Sequence, residues 1–154
     1  MHGVSDFDDL DHPLIRVTML LADSAQVADG KLYLLGGGMR SIGPNPQPLG
    51  IAVLFEVPWD RADVVHDWLL ELLDEDGVPV LIGDRPVIVS GQFTPARQQG
   101  QQPGTPLLVP LAINFASLPV PPGHSYVWRL AIDGTSEADW DVRFSVRPPA
   151  DQIA

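Results

Sequence analysis

Carboxylate side chains gather in two predicted turns, where their oxygens could bind Ca²⁺. Residues 74–76 are Asp-Glu-Asp and precede Gly77, and Asp133, Asp139 and Asp141 flank a later turn. Calcium sites need several oxygens converging from loops, and the chain lacks the spaced D-x-[DN]-x-[DN]-G loop. Asp-Gly pairs are also the ordinary residues of a hairpin turn. We therefore interpret both segments as turns and predict no metal ligands; calcium binding is the alternative.

The other side chains that could do chemistry lack a catalytic or cofactor-binding spacing. The four histidines form no H-x-x-x-H or H-x-H pair, and no serine stands in a G-x-S-x-G elbow. The triple glycine at 36–38 is not followed by the Lys-Ser/Thr of a phosphate-binding loop, so it indicates a bulge or a close approach of strands. The absence of cysteine excludes disulfides and thiolate chemistry. We predict no catalytic residue, no cofactor and no enzyme; the alternative is an enzyme whose site is assembled from distant residues.

Three apolar side chains are candidates for contact with a partner. Phe7 and Leu10 lie within an acidic leader, and segments of this composition can dock into a groove on another protein. Trp59 follows Pro58 in a predicted connection, whereas the other three tryptophans alternate with aliphatic residues and are expected in the core. An exposed Trp59 would also favour the runner-up function, a small-ligand or carbohydrate-binding domain.

The net charge limits the classes of partner. The chain has 154 residues and a formal charge of −11, and its nine basic residues are spread singly. A phosphate backbone would be repelled by this field, so nucleic acid is not expected as a partner. No stretch is apolar enough for a membrane span, and the acidic start lacks a signal-peptide core. We expect a cytoplasmic protein, and a composition with one lysine and sixteen prolines indicates a GC-rich bacterial source.

Short segments of alternating apolar and polar residues must position these side chains. Period-two alternation is typical of a strand with one face in a core and the other in water. Leu54, and later Leu69 and Leu73, lie opposite the main apolar stripe, so one sheet should be covered on both sides, by loops or by a second subunit. The two clearest core stripes are Tyr126, Trp128, Leu130 and Ile132, followed by Trp140, Val142, Phe144 and Val146.

The number and spacing of these segments predict an all-β domain. We expect an antiparallel two-sheet β-sandwich of the Greek-key or immunoglobulin-like kind with about eight strands. A Pro-Gly corner before Tyr126 resembles the tyrosine corner of such folds. Residues 23–29 are interpreted as a short connection. The domain should span residues 14–148, between an acidic N-terminal tail (1–13) and a C-terminal tail (149–154).

Three segments resemble a known family. They are LLADSAQVADGKLYLLGGG at 20–38, LLDEDG at 72–77 and PPGHSYVWRLAIDG at 121–134. They are similar to a family of small bacterial proteins classed as a domain of unknown function, and this resemblance implies no activity, cofactor or site. The leading functional hypothesis is a non-enzymatic binding or scaffolding module that acts on an unknown protein partner. Because sandwiches have free strand edges, a homodimer is one candidate assembly.

Overall fold

The computed structural model describes residues 15–152, which form strands, connecting turns and two short 3₁₀ helices at Trp59–Arg61 and Ala150–Gln152. The predicted all-β class is therefore confirmed. No helix in this part of the chain has the length and apolarity needed to cross a membrane. In chain order the strands are β1 (Arg16–Ala22), β2 (Ser24–Ala28), β3 (Lys31–Leu35), β4 (Ser41–Ile42), β5 (Leu49–Val57), β6 (His66–Asp74), β7 (Leu81–Ile82), β8 (Arg85–Pro86), β9 (Ile88–Phe93), β10 (Leu107–Phe115), β11 (Ser125–Ile132) and β12 (Asp141–Val146).

Two larger sheets enclose the core. One has the order β1-β5-β10 and the other the order β4-β12-β11-β6-β9. All their pairs are antiparallel except β4 with β12, which is parallel. Side chains from both sheets belong to one buried cluster, in which Phe55 stacks on Phe93 and Phe115 stacks on Trp128. Burial of these apolar faces is the main source of stability.

The predicted alternation places the right residues inside. All eight members of the two stripes on β11 and around β12 are buried, as is Trp68. Antiparallel pairing explains this agreement, because Trp128 lies opposite Leu72 on one side and Val142 on the other. Side chains that face each other across a ladder share one face of the sheet. The row of inward apolar side chains on one strand therefore extends onto the neighbouring strands of the sheet.

The predicted connection over residues 23–29 is wrong. Ser24–Ala28 is strand β2, and it pairs with β3 across the turn at Asp29 and Gly30. Both turn residues have positive φ, 52° and 72°, as a two-residue hairpin turn of type I′ requires. The small residues of β2 lack a strong alternating pattern. The pattern of the sequence therefore does not reveal this strand.

The β2–β3 hairpin lies over the outer face of the three-stranded sheet. The side chain of Asn114 accepts a hydrogen bond from the Ala25 N–H at 3.0 Å and donates one to the Ala25 carbonyl at 2.8 Å. At Gly50 a Cβ atom would come within 2.9 Å of the backbone of Ser24 and Ala25, so this close approach requires glycine. The hairpin buries Ala52 on that face. It is a cover made by the chain itself.

Candidate functional site

A wide depression lies on the outer face of β9, β6 and β11. Its volume is 610 Å³, and apolar side chains such as Leu69 and Ala131 line it beside polar ones. The polar side chains come from the outward positions of β6 and β9, where Leu69 pairs with Ser90 and Asp67 with Gln92. Gln92 Nε2 donates a hydrogen bond to Asp67 Oδ1 at 2.7 Å. The alternation of the strands thus gathers polar groups over an apolar floor.

A histidine–aspartate pair lies at the end of this depression. His66 Nδ1 and Asp133 Oδ2 are 2.7 Å apart, and Asp133 Oδ1 accepts the Asp67 N–H at 2.9 Å. The hydrogen bond with His66 holds the pKa of the Asp133 carboxyl below its usual value, and the Asp67 N–H acts in the same direction. Asp133 has a φ of 51°, so the pair fixes the strained first residue of the β11–β12 turn to the start of β6.

The His66 ring points inward and is not available to a substrate in the depression. His66 is 7% exposed, its ring stacks on Phe93, and its Nε2 atom is buried without a hydrogen-bond partner. His66 is also absent from the side chains that line the depression. A catalytic histidine needs one ring nitrogen within reach of the reacting group. The pair is therefore a structural tie between β6 and the turn after β11.

The acidic turn at residues 74–77 lies at the end of the five-stranded sheet opposite to Asp133. Asp74 Oδ1 accepts the N–H groups of Asp76 and Val78, so its carboxylate closes the turn itself. His124 Nδ1 lies 3.3 Å from Glu75 Oε1. Within residues 15–152 no group of three or more histidine or acidic side chains has the geometry of a metal site. These carboxylates do the work of turn formation, as Asp-Gly segments commonly do.

Tyr126 closes the corner that the sequence indicates. Its hydroxyl donates a hydrogen bond to the carbonyl of Pro121, five residues upstream. Burial raises the pKa of the Tyr126 phenol, and the nearby Glu75 and Asp74 carboxylates add to that effect. The phenol therefore stays protonated and acts as a donor. This side chain joins the start of β11 to the preceding loop.

Of the three residues predicted to contact a partner, the structure describes only Trp59. Phe7 and Leu10 lie outside the described residues. The Trp59 ring is half-buried against the core, and the Arg97 guanidinium covers it at 4.2 Å from the ring centroid. Arg97 also donates two hydrogen bonds to the Trp59 carbonyl. This arrangement counts against Trp59 as an open stacking platform for a sugar.

The β2–β3 hairpin presents an apolar strand with one free edge. Within the described chain β3 pairs only with β2. Tyr33 is 51% exposed and Leu35 69% exposed, and Leu34 and Val27 are exposed as well. An exposed apolar edge strand offers unpaired N–H and C=O groups together with side chains that avoid water. Such an edge is a surface for strand pairing.

Four of the nine basic residues lie on the outer face of the five-stranded sheet. Because they are far apart in the sequence, the sequence alone does not show that they share a face. Arg129 lies between Glu71 and Asp141 in the register of β6, β11 and β12. The other three, Arg40, Arg143 and Arg147, are exposed near the β4–β12 pair. We call them, with Ser41, Ser125 and Ser145, the arginine face. The nine basic residues are spread singly in the sequence, and the strand register brings three of them to the β4–β12 pair.

Comparison with known proteins agrees with the resemblance of the sequence. Residues 17–145 match a model described as a family of unknown function, DUF6941. The chain belongs to this family. Curated proteins yield no match. Membership of DUF6941 covers nearly all of the described fold and assigns no activity to it.

Proposed function

We propose that this DUF6941 protein is a non-enzymatic binding module that works through protein–protein contact, and that β3 forms the contact with a second copy of the chain. The observation that supports the proposal most directly is the free edge of β3 with Tyr33 and Leu35 exposed beside it. Pairing through this edge would satisfy the open backbone groups and bury the apolar side chains together.

The distribution of charge favours a second copy as the occupant. The chain carries a net charge of −11, so two copies repel each other over most of their surfaces. Residues 24–35 contain one acid, Asp29, and one base, Lys31, and are therefore neutral. Like-charged molecules can approach closely at such a segment. The hairpin is thus a surface at which self-association meets little electrostatic resistance.

A two-fold axis through Tyr33 gives the geometry of the contact. Antiparallel pairing of β3 with itself would place the two Tyr33 residues opposite each other and Lys31 opposite Leu35 of the second copy. This contact is self-complementary, as a two-fold interface must be.

Sedimentation velocity of the full chain over a range of concentrations tests the proposal. Tyr33→Lys and Leu35→Lys add charge to the edge and should shift the protein to the monomer, although each substitution lowers the net negative charge. Leu108→Lys is the matched control, because Leu108 is exposed on the outer face of β10 and does not belong to the hairpin. A wild-type protein that stays monomeric throughout, or a control that dissociates equally, would contradict the proposal.

We further propose that the two larger sheets are the layers of a β-sandwich with Greek-key connections. Their inward side chains belong to one core cluster, and the two sheets together contain eight strands. The Tyr126–Pro121 bond is typical of a tyrosine corner in such folds. A cytoplasmic location and a bacterial source stay predictions. An experimental structure would test the strand connections directly.

Binding of a small ligand is a second candidate function. The depression over β9, β6 and β11 has a volume of 610 Å³, within the range of about 300–1,000 Å³ usual for ligand sites. A metabolite screen by thermal shift tests it. Ser90→Phe should block a ligand bound there, whereas Thr18→Phe, at an exposed strand position of the other sheet, should not. A ligand that binds both variants alike lies elsewhere.

A further inference from the structure

We propose that the acidic leader of this chain, residues 1–13, binds to the arginine face of its own five-stranded sheet. The inference concerns a different surface from the β3 edge and does not depend on self-association. It begins from a contrast of charge: Arg40, Arg143 and Arg147, three of the four arginines of this face, lie near the β4–β12 pair in a chain whose formal charge is −11. A shallow depression, separate from the one over β9, β6 and β11, lies beside Arg40 and Arg143, and the one acid that lines it, Glu75, already faces His124.

The register of the strands builds the arginine face. Arg143 lies opposite Val127 on β11, and Ser145 lies between Ser125 on β11 and Ser41 on β4. Arg147 Nη1 donates a hydrogen bond to Ser41 Oγ at 3.0 Å, which orients that guanidinium along the sheet. Guanidinium groups with neighbouring hydroxyls suit carboxylates, because both are hydrogen-bond donors in fixed positions.

A shallow depression in the arginine face matches the apolar part of the leader. Arg40 and Arg143 border it, Val127 is the apolar side chain on its outer face, and its volume is 270 Å³. This volume lies just below the range of about 300–1,000 Å³ for small-molecule sites, so the depression suits a single side chain of a peptide better than a metabolite. The leader offers Phe7 and Leu10 among four aspartates. It therefore combines the two chemistries that the face presents.

The leader is attached close enough to reach the arginine face. The described chain continues from it into β1, which lies beside β12. Extended chain advances about 3.3 Å per residue and neighbouring strands are about 4.8 Å apart, so Asp6 to Asp11 can span several strands of the sheet. Because the segment is tethered, its local concentration at the face is high, and weak ionic contacts suffice.

Paramagnetic relaxation enhancement on the full chain tests the inference. The chain has no cysteine, so Ser5→Cys gives a single position for a nitroxide label. We expect loss of amide signal intensity centred on Ser41, Arg143 and Ser145. Replacement of the four leader aspartates by asparagine should abolish that loss, and so should 1 M salt, where charges are screened beyond about 3 Å.

Matched variants separate the arginine face from general electrostatics. Arg40→Gln with Arg143→Gln should remove the signal loss, whereas Arg85→Gln with Arg16→Gln removes the same charge elsewhere and should leave it intact. A uniform or absent signal loss in the wild-type chain overturns the inference. Loss that appears only between molecules, in a mixture of spin-labelled and isotope-labelled chains, overturns the intramolecular contact. Binding of a short oligonucleotide through Arg40 and Arg143, with no signal loss from the leader, assigns the face to nucleic acid instead.

Discussion

The tie between His66 and Asp133 gives a prediction whose size follows from the structure. A double-mutant cycle with Asp133→Gly and His66→Phe removes the pair while phenylalanine keeps the stacking on Phe93. Glycine tolerates the positive φ at position 133, and the lost bond to the Asp67 N–H is common to both variants with glycine, so it cancels in the cycle. The cycle therefore isolates the contact between the two side chains.

The expected coupling is about 1–2 kcal/mol. Hydrogen bonds to charged groups contribute about 1.5–3 kcal/mol, and the Asp133 side chain is 51% exposed, so solvent screening reduces that value. Urea unfolding followed by tryptophan fluorescence measures the free energy of unfolding for all four proteins. Coupling below about 0.5 kcal/mol, the range of additive substitutions, would refute the interpretation of the pair as a structural tie.

The coupling should also depend on pH in one direction. Because folding lowers the pKa of Asp133 from 3.8, its ionised form stabilises the native state. That stabilisation is complete above the unfolded value and is lost as the pH falls through the lower, folded value. The same cycle repeated at acidic pH should therefore give a smaller coupling than at pH 7. A coupling that stays constant while the Asp133 carboxyl becomes protonated would mean that the carboxylate charge contributes nothing.

Three further substitutions test the packing of the core and its corner, each by urea unfolding. Gly91→Val should cost about 1–3 kcal/mol, because a Cβ atom there would come within 2.8 Å of the Trp68 ring; an unchanged stability would show that the ring can move. Trp128→Ala should cost about 3–5 kcal/mol through the cavity it leaves, and a loss below about 1 kcal/mol would remove Trp128 from the core. Tyr126→Phe should cost about 1 kcal/mol through the lost bond to Pro121, and no cost would mean the corner closes without it.

The sequence predicts the core of this fold better than its surface. Alternation in β11 and β12 identifies the buried stripes because each inward side chain meets inward side chains of the neighbouring strands. Strand β2 is not evident from the sequence because its small residues alternate weakly. Its position also depends on Asn114, which is 89 residues away along the chain. Local patterns contain no information about such a distant partner.

The candidate surfaces, like strand β2, depend on contacts between residues that are far apart in the sequence. Trp59 is expected to be exposed after Pro58, yet Arg97 from a distant loop covers its ring. The arginine face joins position 40 to positions 143 and 147, which become neighbours only through the parallel pairing of β4 with β12. The local charge and the exposure of a surface depend on which residues the fold brings together. The sequence shows which residues are charged or apolar, but not which of them become neighbours.

The attachment of the hairpin through Asn114 has a consequence for local unfolding. Strands β2 and β3 hold each other by a complete ladder. In the described part of the chain, Asn114 makes the hydrogen bonds between the hairpin and the β5–β10 layer, and the rest of the link is packing around Gly50 and Ala52. No backbone ladder has to break for the hairpin to lift as a unit. Its amide hydrogens should therefore exchange with solvent through a partial opening of lower free energy than global unfolding, whereas those of β5, β6 and β11 exchange only when the whole molecule unfolds.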